Sequence, residues 1–271
     1  MVSASIKYGR SDIHYLYFGK GSVNVVCLHG YGESAASFGF LQEYLPDIYS
    51  MIAIDLPFHG STQWKEDRAF TNSDIVLIVN ELFNIHGITD QSFVMMGFSM
   101  GGRIALSLLE VIPERISKLI LLAPDGMKVN FWYWLATQTK IGNRLFRVAM
   151  NNPGWFLKLL KIADSFKLIN KSIFKFISSY INDEHVCDQL FHRWTCMRTF
   201  KPRLKKMHIL IRENQIPVRM LYGKHDRIIL SKRAGKFSEG LEPLCQIHII
   251  DAGHQVLQKR YALVITKLLT V

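Results

Sequence analysis

The stretch Met96-Gly97-Phe98-Ser99-Met100-Gly101-Gly102-Arg103 sets a serine between glycines two positions before it and two after. A serine hydroxyl is a weak nucleophile until a base takes its proton. If Ser99 attacks a carbonyl, the chain must also supply a histidine, an acid to orient the imidazole, and two donors for the oxyanion that develops. Asp251-Ala252-Gly253-His254 offers His254 as the base, with Gly253 expected to let its loop turn the imidazole inward. Gly223-Lys224-His225-Asp226 offers Asp226 as the acid, and Asp125 in Ala123-Pro124-Asp125-Gly126 is its rival. The backbone N–H groups of Tyr31, in His29-Gly30-Tyr31-Gly32, and of Met100 are the candidate oxyanion donors. His29 reads as a brace for its loop rather than as a second base.

Each candidate follows a short β-branched or apolar run: Val23 to Leu28, Met51 to Asp55, Ser92 to Gly97, Lys118 to Ala123, Val218 to Gly223 and Gln246 to Asp251. Such runs read as buried strands. Helical patterns lie between them, at Thr71 to His86, with Asn72, Ser73 or Asp74 as the cap, and at Gly101 to Val111. The alternation implies an α/β fold with a mostly parallel, doubly wound sheet, whose strand ends present loops along one edge. Ile6 to Tyr8 and Ile13 to Phe18, joined by a turn at Gly9 to Asp12, read as an N-terminal antiparallel hairpin. Ser99 thus sits on a strand-to-helix turn, the context that gives G-x-S-x-G its meaning, and at a helix N-terminus that favours a negative oxygen.

The rhythm stops after Gly126 and resumes at Ile216, so residues 1–125 and 215–271 are expected to form the core and 126–214 a helical insertion. Net charge is +11. From Met127 to Asn214 there are 16 Lys and Arg against 5 Asp and Glu, while the remainder balances, so the excess marks the insertion. The insertion also holds four of the five tryptophans. Leu159, Ile162, Phe166, Ile169, Ile173, Ile177 and Tyr180 recur at helical spacing, with Lys167, Lys171 and Lys175 roughly opposite. Cys27, Cys187, Cys196 and Cys245 show neither CxxC nor zinc-finger spacing and read as free thiols. The first residues lack the apolar segment of a secretory signal, and no run approaches the ~18 residues of a spanning helix, which reads as soluble and cytoplasmic.

With HGYG at 29–32, DLPFHGST at 55–62, GFSMGG at 97–102, GKHD at 223–226 and DAGH at 251–254, the chain resembles the α/β-hydrolase fold family, specifically its helically capped members. The resemblance implies Ser99 as nucleophile, His254 as general base and acid, Asp226 as orienting acid, and Tyr31 with Met100 as oxyanion donors. It implies no cofactor and no metal. Relatives that open epoxides or remove halogens carry aspartate at the elbow, whereas this chain has Ser99. Cleavage of a carboxylic ester with a small to medium, apolar acyl group is the expected reaction. Carbon–carbon bond hydrolysis, lactone opening or thioester cleavage on the same residues are the alternatives, and a ligand-binding protein without turnover is a third class. Phe58 stands where the family usually has glycine, a change expected to reshape that loop. His29, Phe98, Trp132 and Trp134 are candidate pocket residues. The basic, aromatic insertion suits an anionic membrane surface or an acidic carrier protein, and no nucleic-acid motif accompanies the charge.

Overall fold

A computed structural model describes residues 1–128, 131–155 and 183–271, together with Lys158 and Lys161; the side chains of Trp132 and Glu184 are outside this set. The expected amphipathic run from Leu159 to Tyr180 lies outside the described residues. By contacts the chain divides into two compact units. The larger comprises Met1–Asp67, Thr71–Lys128 and Phe200–Val271, and the smaller Arg68–Phe70 and Val129–Thr199. These boundaries differ from 126 and 214: residues 200–214 pack within the larger unit.

The larger unit is built on one eight-stranded sheet. β1 (Val2–Tyr8) and β2 (Ser11–Gly19) form the N-terminal hairpin, longer at both ends than its apolar residues suggest, because ladder pairing continues through Val2↔Tyr17 and Tyr8↔Ser11. β3 (Val23–Leu28), β4 (Tyr49–Ile54), β5 (Phe93–Phe98), β6 (Ile116–Leu122), β7 (Val218–Gly223) and β8 (Cys245–Ile250) are mutually parallel, and the order is β1-β2-β4-β3-β5-β6-β7-β8. β2 meets β4 antiparallel. Every residue of β4, β5 and β7 is buried, which explains why these strands read as continuous apolar runs rather than alternating ones. β4 lies on one side of β3 and β5 on the other, so the chain reverses its winding at β3. A crevice opens at such a reversal, at the C-terminal strand ends.

α1 (Asn72–Ile85) is capped by Thr71, not by Asn72, Ser73 or Asp74. Thr71 Oγ1 accepts from Asp74 N–H, and Asp74 Oδ2 accepts from Thr71 N–H at 2.7 Å, a reciprocal box. Asn72 is diverted to α2 (Met100–Leu109), donating to the Ser107 carbonyl at 3.1 Å. In the smaller unit, α3 (Phe131–Gln138), α4 (Lys140–Asn151) and α5 (Glu184–Cys196) pack around Tyr133, Phe146, Phe191 and Trp194. α6 (Leu204–Glu213), α7 (Lys232–Ser238) and α8 (Ala262–Thr270) belong to the larger unit. Among the described residues no strand lies between β6 and β7, no helix is long and apolar enough to cross a membrane, and all four cysteines are buried thiols.

The backbone of Phe58 adopts φ +62°, the left-handed conformation that glycine accepts without steric cost. For a residue with a Cβ this costs roughly 1–2 kcal/mol. Phe58→Gly and Phe58→Ala both remove the ring; glycine takes the left-handed conformation without strain and gives back part of that gain through its freer unfolded chain. The glycine variant is therefore expected to exceed the alanine variant by about 1 kcal/mol in urea unfolding; equal stabilities would mean the loop relaxes to ordinary φ.

Candidate active site

Ser99 occupies the one-residue turn between β5 and α2 with φ +48° and ψ −110°. Two backbone hydrogen bonds hold this conformation: Ser99 N–H donates to Leu122 O on β6 at 2.9 Å, and Asp125 N–H donates to Ser99 O at 2.9 Å. The flanking glycines are required by space. A Cβ on Gly101 would run into the Leu28 carbonyl at the end of β3, and one on Gly97 would meet the Gly101 backbone. Their absence lets α2 approach the sheet closely enough for the elbow to stand above the strand ends.

His254 follows β8 and reaches both partners that the sequence singles out. Its Nε2 lies 3.0 Å from Ser99 Oγ and its Nδ1 2.8 Å from Asp226 Oδ2. Asp226, with a side chain wholly removed from solvent, also accepts from Ile228 N–H at 2.7 Å and Ile229 N–H at 2.9 Å through Oδ1. Three donors thus compensate a carboxylate that burial would otherwise penalise. Because a carboxylate only accepts, Nδ1 carries the proton in neutral imidazole and Nε2 is left to accept from Ser99. The Phe98 ring lies 5.5 Å from the imidazole, centroid to centroid, and is itself buried.

The loop after β7 is pinned to the loop after β8 by Lys224 N–H to Ile250 O at 2.8 Å and His225 N–H to Ala252 O at 2.9 Å. The glycine needed for this approach is Gly223, where a Cβ would collide with the Ala252 and Gly253 carbonyls. Gly253 itself has open space at its Cβ position and no left-handed φ, so it is not the source of freedom that the sequence suggests.

Asp125 stands apart from this chain of hydrogen bonds. Its Oδ2 pairs with Arg103 at 3.2 Å and its Oδ1 accepts from Gly126 N–H. His29 is fully buried, accepts from Leu56 N–H at Nε2 and therefore donates from Nδ1 to Gly30 O at 2.8 Å. Both ring nitrogens are committed to backbone, the bracing role, rather than to a pocket. Tyr31 lies beyond it, its ring edge-on to His59, and Met100 opens α2, where the first N–H groups lack intrahelical acceptors. Trp134 is half exposed and stacks on Phe131 within the smaller unit; the Trp132 side chain is outside the described residues.

Two carboxyl groups escaped sequence reasoning. Asp55, buried at the end of β4, accepts from Ala35 N–H at 2.5 Å and Ser61 N–H at 2.8 Å and pairs with His14 Nδ1 at 2.8 Å. One carboxylate thereby ties the segment after His29-Gly30-Tyr31-Gly32 to the segment after β4. The DLPFHGST motif contains the signal, but spacing does not reveal which groups the aspartate will receive. Glu33 is the second. Burial pushes its carboxyl above the usual carboxylate range, against the opposing influence of Gln255, Gly30 and Ser37. Its Oε2 is buried without a hydrogen-bond partner.

Residues 23–165, just over half of the chain, match the model of the alpha/beta hydrolase fold family. An uncharacterised hydrolase of Bacillus subtilis, YugF, is 25% identical over 93% of this chain and 91% of its own length. Monoacylglycerol lipase abhd6-B of Xenopus laevis is 22% identical over 93% of this chain and 77% of its own. Among solved structures, a thermophilic esterase from Thermogutta terrifontis superposes with a TM-score of 0.69 at 19% identity, covering 99% of this chain and 97% of the esterase, a likeness of fold. With the elbow, the sheet order and this family match in agreement, the chain belongs to the α/β-hydrolase fold family.

Proposed function

We propose that this hydrolase cleaves carboxylic esters with a small to medium, apolar acyl group through an acyl-enzyme on Ser99. The observation that carries the reading is the single imidazole within hydrogen-bond reach of both Ser99 Oγ and Asp226. Ser99 Oγ attacks the carbonyl carbon while His254 Nε2 takes its proton; the C–O bond to the alcohol then breaks as His254 returns that proton to the leaving oxygen. Water, deprotonated by the same nitrogen, releases the acid. Asp226 holds the imidazole in the required tautomer and stabilises its charged form, and the Tyr31 and Met100 N–H groups receive the oxyanion. The name of the monoacylglycerol lipase relative supports an ester as substrate. Aspartate at the elbow, which would suit alkyl transfer, is absent.

Turnover of p-nitrophenyl esters from acetyl to lauroyl tests the substrate class: an optimum at short to medium acyl length is expected, and Ser99→Ala should lose about 10⁶-fold in kcat. Faster turnover of matched thioesters or of a vinylogous diketone would reassign the reaction on the same residues. Asp226→Asn should lower kcat by about 10⁴-fold, as in the serine-protease template. Asp125→Asn, which breaks only the Arg103 pair, should stay within a few-fold; the opposite ranking would move the acid to Asp125.

A further inference from the structure

We infer that the smaller unit carries a docking face for anionic phospholipid bilayers, built on α4. With 3.6 residues per turn, α4 divides into three lengthwise arcs. Phe146, Ala149 and Met150 lie on the first, where Phe146 meets Phe191 and Trp194 and the other two are buried. Lys140, Arg144 and Arg147 form the second. Ile141, Leu145 and Val148 form the third and are 76%, 62% and 45% exposed. The helix therefore has a core-facing side already filled, and still presents a complete aliphatic row to its surroundings.

The neighbouring cations point to what covers that row. Among the described residues, Lys140, Arg144, Arg147 and Arg198 have no carboxylate partner, and α4 contains no acidic residue. Lys140 stands at the first position of the helix, where the dipole disfavours positive charge, a local conflict that an anionic ligand would relieve. Lys140, Asn143, Arg144, Arg147 and Arg198 also line a cavity of about 530 Å³ within the smaller unit. Arg144, Arg147, whose guanidinium also lies over the Phe191 ring at 5.8 Å, and Arg198 give the cavity a cationic lining of the kind that matches phosphate oxygens.

An interfacial helix needs both rows: aliphatic side chains in the acyl boundary and cations at phosphate level beside them. Exposed Phe131, Trp134 and Trp155 add the aromatic content typical of that boundary. An acidic protein would satisfy the cations and leave the aliphatic row wet. A second copy, paired antiparallel through the same face, would set the two cationic rows against each other. The bilayer is the occupant that answers both rows, and this binding does not depend on the reaction that Ser99 performs.

The test is co-sedimentation of the full chain with vesicles of phosphatidylglycerol and phosphatidylcholine, against vesicles of phosphatidylcholine alone. Binding to the anionic vesicles only is expected, weakening as salt rises from about 0.05 to about 0.5 M. A triple variant, Lys140→Glu with Arg144→Glu and Arg147→Glu, should lose more than about tenfold in partitioning. The single change Leu145→Ser should also weaken binding while retaining the circular dichroism melt and the turnover of a soluble acetyl ester. Absence of binding, or equal binding to neutral vesicles, overturns the inference. So does a dimer on gel filtration that Leu145→Ser dissociates, or loss of soluble-ester turnover in that variant, because the row would then serve a second copy or the substrate path. Competition by millimolar inorganic phosphate at fixed ionic strength, with no response to Leu145→Ser, would assign the cavity to a free anion instead.

Discussion

The 2.8 Å contact between Asp226 and Nδ1 of His254 is the interaction on which the rest of the site depends. It fixes which ring nitrogen carries the proton, and so leaves Nε2 as an acceptor at 3.0 Å from Ser99 Oγ. For the contact to form, Asp226 must be buried, and burial is tolerable only because the Ile228 and Ile229 N–H groups satisfy its second oxygen. The loops after β7 and β8 must also lie against each other, which the missing side chain of Gly223 permits.

The sheet supplies the rest of the alignment. Parallel strands end their C-termini along one edge, so Ser99, Asp226 and His254, which follow different strands, meet there through hydrogen bonds. Positioning is reinforced by groups that do no chemistry in this account. His29 joins the β3 loop to Leu56, Asp55 joins Ala35 to Ser61, and the Leu122 carbonyl holds Ser99 in its left-handed turn. The left-handed backbone at Ser99 and Phe58 shows the constraint from the other side. Neither residue is glycine, yet both hold glycine-like conformations because the surrounding hydrogen bonds determine the path of the chain.

Much of this was legible in the sequence, for identifiable reasons. Strands buried on both faces write themselves as apolar runs, so their ends, and the residues just past them, could be located to within about two positions. What the sequence left to the fold was the pairing of similar residues. Asp125 and Asp226 both follow strands, and Asp226 is favoured by its place in the run of motifs; the fold adds that Arg103 takes the first and His254 the second. Gly223 and Gly253 both flank the loops concerned, and only the packing shows that the first is the one with no room for a Cβ. Thr71 and Asn72 are both good caps, decided by Asn72 finding a partner on α2. On α4, Leu145 and Met150 are equally apolar in sequence, and which of them is buried is a tertiary fact.

The central claim is that this arrangement activates Ser99 and no other serine. Reaction with a fluorophosphonate, followed by intact mass and peptide mapping, addresses it most directly, since the probe requires a hydroxyl deprotonated in place beside an oxyanion site. One adduct per chain, located on the peptide that carries Ser99 and lost in Asp226→Asn on the time scale of wild-type labelling, is the predicted result. A folded chain that stays unlabelled, or an adduct on another residue, would contradict the account.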